Sequence, residues 1–396
     1  MKRAWVCGMV VALFAFSGPA QAVPSVTLNG NLYLFMDQMT GAGGAAGTSQ
    51  IAKMDFTAGT AGTLNADFCT IATTWYNSTI ERNLGNCDLY NHDLYVVSPY
   101  NNYYGAQILK VNGTTGASTQ VWANTSAGAK LAIAADPSTG NIYINGNNSK
   151  AAYYLHDDDH NSSYNDSGEY TLLDGLSASL WYVGDEGCRQ DAEFYNGWMY
   201  FTTGYYNQAG YFITRVQALP SVSGNISADH SSWVIPPVNG YGPDFLTLGD
   251  PDGDGKVDLY ARQGVGTSSG SAAYQIGHWE DANADGYFSS SELHGTINVG
   301  STARDLQLVT SDGHAMLVYL DTNMAVKYIN LLDNGSIVAG AETGTLFTTG
   351  LTPLNTNFVY LKMDQVAAAV PEPATLLLLG TGALGVMGYI RRRKIM

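Results

Sequence analysis

The sequence predicts an all-β protein built from repeated sheets, on three observations. It holds 26 tyrosines and 45 glycines in 396 residues, it is poor in lysine, and one type of aromatic strand recurs along it. That composition suits short strands joined by polar turns better than helices. The recurring strands are GNLYLF around Tyr33, HDLYVV around Tyr95, GNIYIN around Tyr143, GWMYFT around Tyr200, KVDLYAR around Tyr260, AMLVYL around Tyr319 and NFVYLK around Tyr360, with intervals of 62, 48, 57, 60, 59 and 41 residues. A polar turn feeding a period-2 strand at this spacing is what a four-stranded blade requires, because each blade presents one such strand in register with its neighbours. The expected architecture is therefore a β-propeller of six or seven blades, with a β-sandwich as the alternative that also alternates strands and turns.

At the amino terminus Lys2 and Arg3 precede an apolar run from Ala4 to Phe16, and Ala20-Gln21-Ala22 supplies the small residues that signal peptidase reads. Residues 1–22 are expected to form a cleavable signal helix. The run is too short for a membrane anchor and ends in Ser17-Gly18-Pro19. The body is expected to span residues 23–363, beginning near Val23.

The chain has 18 basic and 34 acidic residues, a formal charge of −16, and six of the basic residues lie in the terminal segments. The exported body is more acidic still, which disfavours nucleic acid and anionic lipid as partners and favours divalent cations. Cys69 and Cys87 flank a short segment, and in an oxidising compartment a disulfide between them is expected, stabilising by about 3 kcal/mol through loop entropy. Cys188 is expected as a buried free thiol.

Within the body, LAIAADPSTGNIYING predicts a hairpin from Leu131–Ala135 through the turn at Asp136–Gly140 to Ile142–Ile144. Its strand and turn resemble those of secreted six-bladed propeller repeats. Pairing of a strand near Val26–Phe35 with one near Phe358–Lys362 would close the ring and remove its sheet edges.

Two acidic loops are the strongest chemical signals. In DANADGYFSSSEL, oxygen donors fall at Asp281, Asn283, Asp285, Ser289 and Glu292, with Gly286 at the sharp bend and Tyr287 offering its carbonyl. Calcium needs six to eight hard oxygens about one point, which this spacing can supply. The segment at 281–292 resembles an EF-hand loop, but Phe288 and the lack of flanking amphipathic helices point to a calcium loop between strands. In GDPDGDGKVDLYAR, Asp250, Asp252, Asp254 and Asp258 stand at positions one, three, five and nine, with Gly255 at six and Ala261 in place of the bidentate acid. This loop, at 250–261, resembles the calcium loops of integrin-type propeller repeats, which implies a structural ion.

Other patterns carry less. His156–His160, HDDDH, matches no metal spacing and reads as a solvated hairpin tip. Gly380–Gly385, GTGALG, follows no strand and cannot form a dinucleotide site. No nucleophile elbow, HExxH or Walker loop occurs. Asp185, Glu186, Asp191 and Glu193 are acids that glycosidic chemistry could use, but the sequence sets no pair at a catalytic separation.

The carboxyl end supplies the most specific pattern. Residues 364–370 read as a linker. Pro371-Glu372-Pro373 is followed by an uncharged stretch from Ala374 to Ile390, about 25 Å long as a helix, and by Arg391-Arg392-Arg393-Lys394. A transmembrane helix at 374–390 would leave the basic cluster cytoplasmic and the body outside. These three parts, over residues 371–394, resemble the PEP-CTERM sorting signal, the substrate tag of exosortases in Gram-negative bacteria that make extracellular polysaccharide. The resemblance implies transient inner-membrane anchoring, processing by exosortase near the tripeptide and release to the cell surface or matrix. It is silent on the body. The body is expected to be a non-enzymatic, calcium-stabilised binder of polysaccharide or matrix partners, with a secreted polysaccharide hydrolase or lyase as the alternative.

Overall fold

The recurring strands are apolar on both faces: in HAMLVYLD, Ala315 to Asp321 are buried without interruption. A strand with no wet face must lie in a sheet covered on both sides. The computed structural model describes residues 23–36, 48–72, 86–100, 102–125, 130–146, 152–173, 191–204, 211–218, 228–235, 245–263, 275–300, 303–311, 313–337, 342–352 and 359–365. The signal segment and the tail beyond Gln365 lie outside these residues, as do Cys188, Asp185 and Glu186.

The described strands form six antiparallel sheets, and the fold is an all-β propeller. Five sheets are each built from four consecutive strands. These are β5 (Cys87–Tyr90), β6 (Asp93–Tyr100), β7 (Asn102–Val111) and β8 (Ser118–Asn124); β9 (Lys130–Ala135), β10 (Ile142–Gly146), β11 (Ala152–Leu155) and β12 (Tyr170–Leu173); β13 (Ala192–Tyr195), β14 (Trp198–Gly204), β15 (Tyr211–Ala218) and β16 (Ala228–Ile235); β17 (Leu246–Gly249), β18 (Asp258–Gln263), β19 (Gln275–Glu280) and β20 (Leu293–Asn298); and β21 (Ala303–Ser311), β22 (His314–Asp321), β23 (Ala325–Asn330) and β24 (Thr343–Thr348). The remaining sheet is composite: β1 (Gly30–Met36), β2 (Thr48–Thr57), β3 (Thr60–Ala61) and β4 (Asn65–Ala72) take β25 (Val359–Gln365) from the far end of the chain.

The expected closure is present. β25 pairs antiparallel with β1 over their whole length, from Gly30 opposite Gln365 to Met36 opposite Val359. The first strands of the sheets, β25, β5, β9, β13, β17 and β21, touch one another in cyclic order, so they line the axis. Tyr33, Tyr95, Tyr143, Tyr200, Tyr260 and Tyr319 all lie on the second strand of a sheet, opposite Lys362, Asp88, Ala134, Glu193, Thr247 and Leu306 of the first strand. Tyr360 belongs instead to the closing first strand. That is why the last interval, 41 residues, is short.

Apolar packing lies between neighbouring blades. One core joins β1, β2 and β25 to β22 and β23 through Leu32, Leu34, Val318, Leu320 and Leu361. Others join β6 and β7 to β9 and β10, and β14 and β15 to β17 and β18. The hairpin expected at 131–144 is formed, with Ile142 opposite Ala135. Consecutive strands alternate in direction, so the connections between first and second strands and between third and fourth strands gather at one end of the ring, where β25 also ends.

Two boundaries differ from expectation. Asp364 and Gln365, expected to open the linker, complete β25, and Asp364 pairs with His92 Nδ1 at 2.9 Å. The disulfide is not formed: Cys69 and Cys87 are both buried and free. Cys69 sits on β4, opposite Ile51, while Cys87 opens the axial strand of the next blade, so each packs as a small apolar side chain in the core. Burial pushes both thiols above the ordinary range.

Candidate functional site

Acidic side chains concentrate in two places, the axis and the end of the ring that carries the turns. At the axis, each carboxylate reaches across to a backbone N–H of the neighbouring first strand. Asp88 accepts from Ala135 N at 2.8 Å, Asp191 from Leu246 N at 3.0 Å, Glu193 from Leu248 N at 3.1 Å and Asp305 from Leu361 N at 2.5 Å. Thr247 does the same with its hydroxyl, accepting from Leu308 N at 3.0 Å. First strands cannot pair with one another, because each faces a different blade; their edge amides are satisfied by these side chains instead. Asn86 Nδ2 donates to Asp191 Oδ1 at 2.5 Å and extends the network.

Among the described residues, a buried lysine answers these acids: Lys362 Nζ lies 3.7 Å from Asp88 Oδ1. Burial works against its ammonium, but Asp88, Asp191, Asp305 and Glu193 outweigh burial and hold the lysine above its ordinary pKa. Burial raises Asp191 and, joined by the charge of Asp191, raises Asp305 well above the carboxylate range. Burial pushes Glu193 up to about 8, with Lys362 opposing. Of the acids considered for glycosidic chemistry, Asp191 and Glu193 thus stand on the axis as amide acceptors. Asp88, Asp305 and Lys362 were not singled out by sequence; Asp88 and Glu193 each precede a repeating tyrosine by seven residues, which is the signal that could have found them.

At the turn end, three loops share one backbone geometry. In the connection between β17 and β18, Asp254 N donates to Asp250 Oδ1 (3.0 Å) and Asp252 Oδ1 (3.2 Å), and Gly255 N donates to Asp250 Oδ2 (2.9 Å). In the connection between β19 and β20, Asp285 N donates to Asp281 Oδ1 (3.1 Å) and Asn283 Oδ1 (2.9 Å), and Gly286 N to Asp281 Oδ2 (2.7 Å). The HDDDH segment repeats the pattern between β11 and β12: Asn161 N donates to Asp157 Oδ1 (3.0 Å) and Asp159 Oδ1 (3.1 Å), and Ser162 N to Asp157 Oδ2 (2.8 Å). Sequence reading passed over this loop because Ser162, not glycine, occupies the sixth position, where it takes φ 65°.

Oxygens of Asp250, Asp252 and Asp254 come within 4.8 Å of one another. Lys256 Nζ stands 2.6 Å from Asp254 Oδ2 and 2.5 Å from Glu280 Oε1. Asp258 does not join them. It is the first residue of β18, buried, with Oδ1 2.5 Å from His278 Nε2 on β19, and His278 stacks on Tyr260 at 4.7 Å. The candidate loop therefore ends before Asp258 rather than at residue 261, since residues 258–261 are strand.

In the loop at 281–292, Glu292 turns onto Ser289: its Oε2 accepts from Ser289 N and Oγ, both at 2.7 Å, at a short 3-10 turn spanning Ser290–Glu292. Phe288 is buried in the core shared with Tyr200. Arg215 lies across the loop, donating from Nη2 to Asp285 O at 3.1 Å, with its guanidinium 4.1 Å from the Trp198 ring and 5.6 Å from that of Tyr287.

A ring of sheets closed by its own carboxyl-terminal strand defines a β-propeller body. Beyond it, residues 369–394 match the PEP-CTERM protein-sorting motif, so the chain is an exported protein sorted through a membrane-anchored tail, with exosortase as the processing partner that the motif implies. Pro371, Glu372, Pro373, Arg391, Arg392 and Arg393 fall within that match and outside the described residues, as does the expected transmembrane helix at 374–390. Among the described residues no helix is long and apolar enough to cross a membrane.

No curated protein sequence is similar to the chain. Solved structures that resemble it include a chain of a nidogen/laminin complex (11% identity, 85% of this chain and 100% of that one, TM-score 0.46). A protein from Lactobacillus plantarum (15%, 78% and 81%, 0.47) and a putative 6-phosphogluconolactonase from Bacteroides uniformis (16%, 82% and 85%, 0.47) are also similar. At these scores the likenesses carry no argument about activity.

Proposed function

We propose that the protein is a surface or matrix component of a Gram-negative bacterium, anchored briefly in the inner membrane, released by exosortase, and binding polysaccharide or another matrix partner. The sorting motif at residues 369–394 carries this reading, because it supplies both the export route and the release step. Calcium is the ion we assign to the loops at 250–254 and 281–292. Their donors are hard carboxylate, amide and hydroxyl oxygens, and Asp250, Asp252 and Asp254 are already gathered. Bound there, the ion would neutralise crowded aspartates and tie turns to the ends of their strands.

Replacing Pro371-Glu372-Pro373 by alanines tests the reading. The altered protein is expected to insert and stay in the cell-envelope fraction while the parent appears in the medium or matrix; normal release would refute it.

A second reading, a polysaccharide hydrolase or lyase, draws on Glu193, whose raised pKa would keep a proton available near neutrality beside Asp191. The engagement of Asp191, Glu193 and Asp305 with backbone amides favours the binding reading. Incubation with the producer's own polysaccharide separates the two: degradation that disappears in Glu193→Gln selects the enzyme, and retention without degradation selects the binder.

A further inference from the structure

We propose that the connection between β11 and β12 is a third calcium site, with Asp157, Asp159 and Glu169 as its ligands. The proposal does not depend on whether the loops at 250 and 281 hold an ion.

Glu169 carries the argument. It is only 4% exposed, and its Oε2 is buried without a hydrogen-bond partner. Oε1 is already used, accepting from Asp158 N at 3.1 Å. An oxygen of Glu169 lies within 4.8 Å of one from Asp157 and one from Asp159, so the buried carboxylate stands against the aspartate turn. A lone buried carboxylate oxygen facing two further carboxylates is costly unless a cation stands between them.

Among the described residues no lysine or arginine is paired with Asp157, Asp159 or Glu169. No lysine or arginine occurs between Lys150 and Arg189, whereas the 250 loop carries its own Lys256 against Asp254. The donor chemistry selects the ion. His156 Nδ1 is held by Asp158 at 2.8 Å, and the atoms gathered at one point are carboxylate oxygens of Asp157, Asp159 and Glu169, with the Asn161 amide donating from Nδ2 to Asp159 and Asp166 beside them. Hard oxygen donors spread over a thirteen-residue wrap suit the large, flexible shell of calcium better than the strict octahedron of magnesium. Glu169 would thus supply, from position thirteen and from inside the fold, the acid that the 250 loop lacks.

Calorimetric titration of calcium chloride into the full chain, purified in detergent, tests the assignment, using the parent, Glu169→Gln and a variant with Asp250→Asn, Asp252→Asn, Asp281→Asn and Asp285→Asn. The quadruple variant is expected to keep one calcium site, and adding Glu169→Gln to it should weaken that site by at least about tenfold, since affinity follows ligand charge. Thermal melts supply the second readout. In chelator, Glu169→Gln should melt no lower than the parent, because the amide still accepts from Asp158 N and the unpaired charge is gone; in calcium the parent should gain more than the variant. A quadruple variant that binds no calcium, binding unchanged by Glu169→Gln, or an equal loss of melting temperature in chelator and in calcium would each overturn the proposal. A parent that binds only through the 250 and 281 loops would leave the earlier reading standing and this one refuted.

Discussion

Tyr33 and Tyr260 each bury a ring on a second strand and donate the hydroxyl to a glycine carbonyl in a turn of the next blade, Gly113 O at 3.0 Å and Gly335 O at 2.7 Å. The repeat that organises the sequence is thus a packing device between blades, not a binding face. At the axis the informative residue is Glu193. Its carboxyl in the folded protein titrates at about 8, above the ordinary glutamate value of 4.5. Between those values the folded state holds a proton that the unfolded state has released, so stability from this group falls as pH rises from about 5 to 8. Asp191 and Asp305, also raised, act in the same direction. Glu193→Gln, which keeps an acceptor for Leu248 N, should flatten the decline; melting temperatures of parent and variant at pH 5 and pH 8 check it, and parallel declines would count against the assignment.

At the scale of elements, the acidic loops differ in what leans on them. Gly255 takes φ 86° with nothing within 4 Å of a built Cβ, so Gly255→Ala should cost only the left-handed backbone penalty, about 1–2 kcal/mol. At Gly286, φ 77°, a Cβ would fall 1.5 Å from Arg215 Nη1. Gly286→Ala must also push Arg215 off Trp198 and Asp285, adding about 1–2 kcal/mol. Urea midpoints of the two variants measure the difference, which vanishes if Arg215 contributes nothing. The 250 and 281 loops were legible because aspartates and a glycine at fixed spacing state the turn outright. The loop at 157 was not, because Asn161 and Ser162 take the places of Asp and Gly and its buried acid comes at the thirteenth position. Asp258 misled because position nine of the pattern coincides with the first residue of a strand, where burial and His278 claim it. The expected Cys69–Cys87 pairing differs for a related reason: the two cysteines are near in sequence, but a blade boundary lies between their strands. The tyrosine strands announced themselves by repetition; the axial strands, four residues long in β5, β13 and β17, are too short for periodicity to reveal that their acids point inward.

The whole ring depends on β25. A chain ending before Val359 would leave β1 as an open edge with Leu32, Leu34 and Leu361's partners stripped of cover, and it should elute as aggregate and be cut rapidly by protease. A chain ending after Gln365 should keep the far-UV spectrum and melting temperature of the parent; comparable behaviour of the two truncations would contradict the closure. Ring closure also fixes an orientation. Gln365 leaves the ring at the end that bears the loops at 157, 250 and 281, and five residues separate it from Pro371, a reach of at most about 22 Å. Under the anchoring proposed above, that acidic end would be the underside of the molecule, facing the headgroups rather than the surrounding matrix. On the same reading, cutting the tether would do more than free the protein: it would turn that side outward, so that maturation and unmasking would be one event.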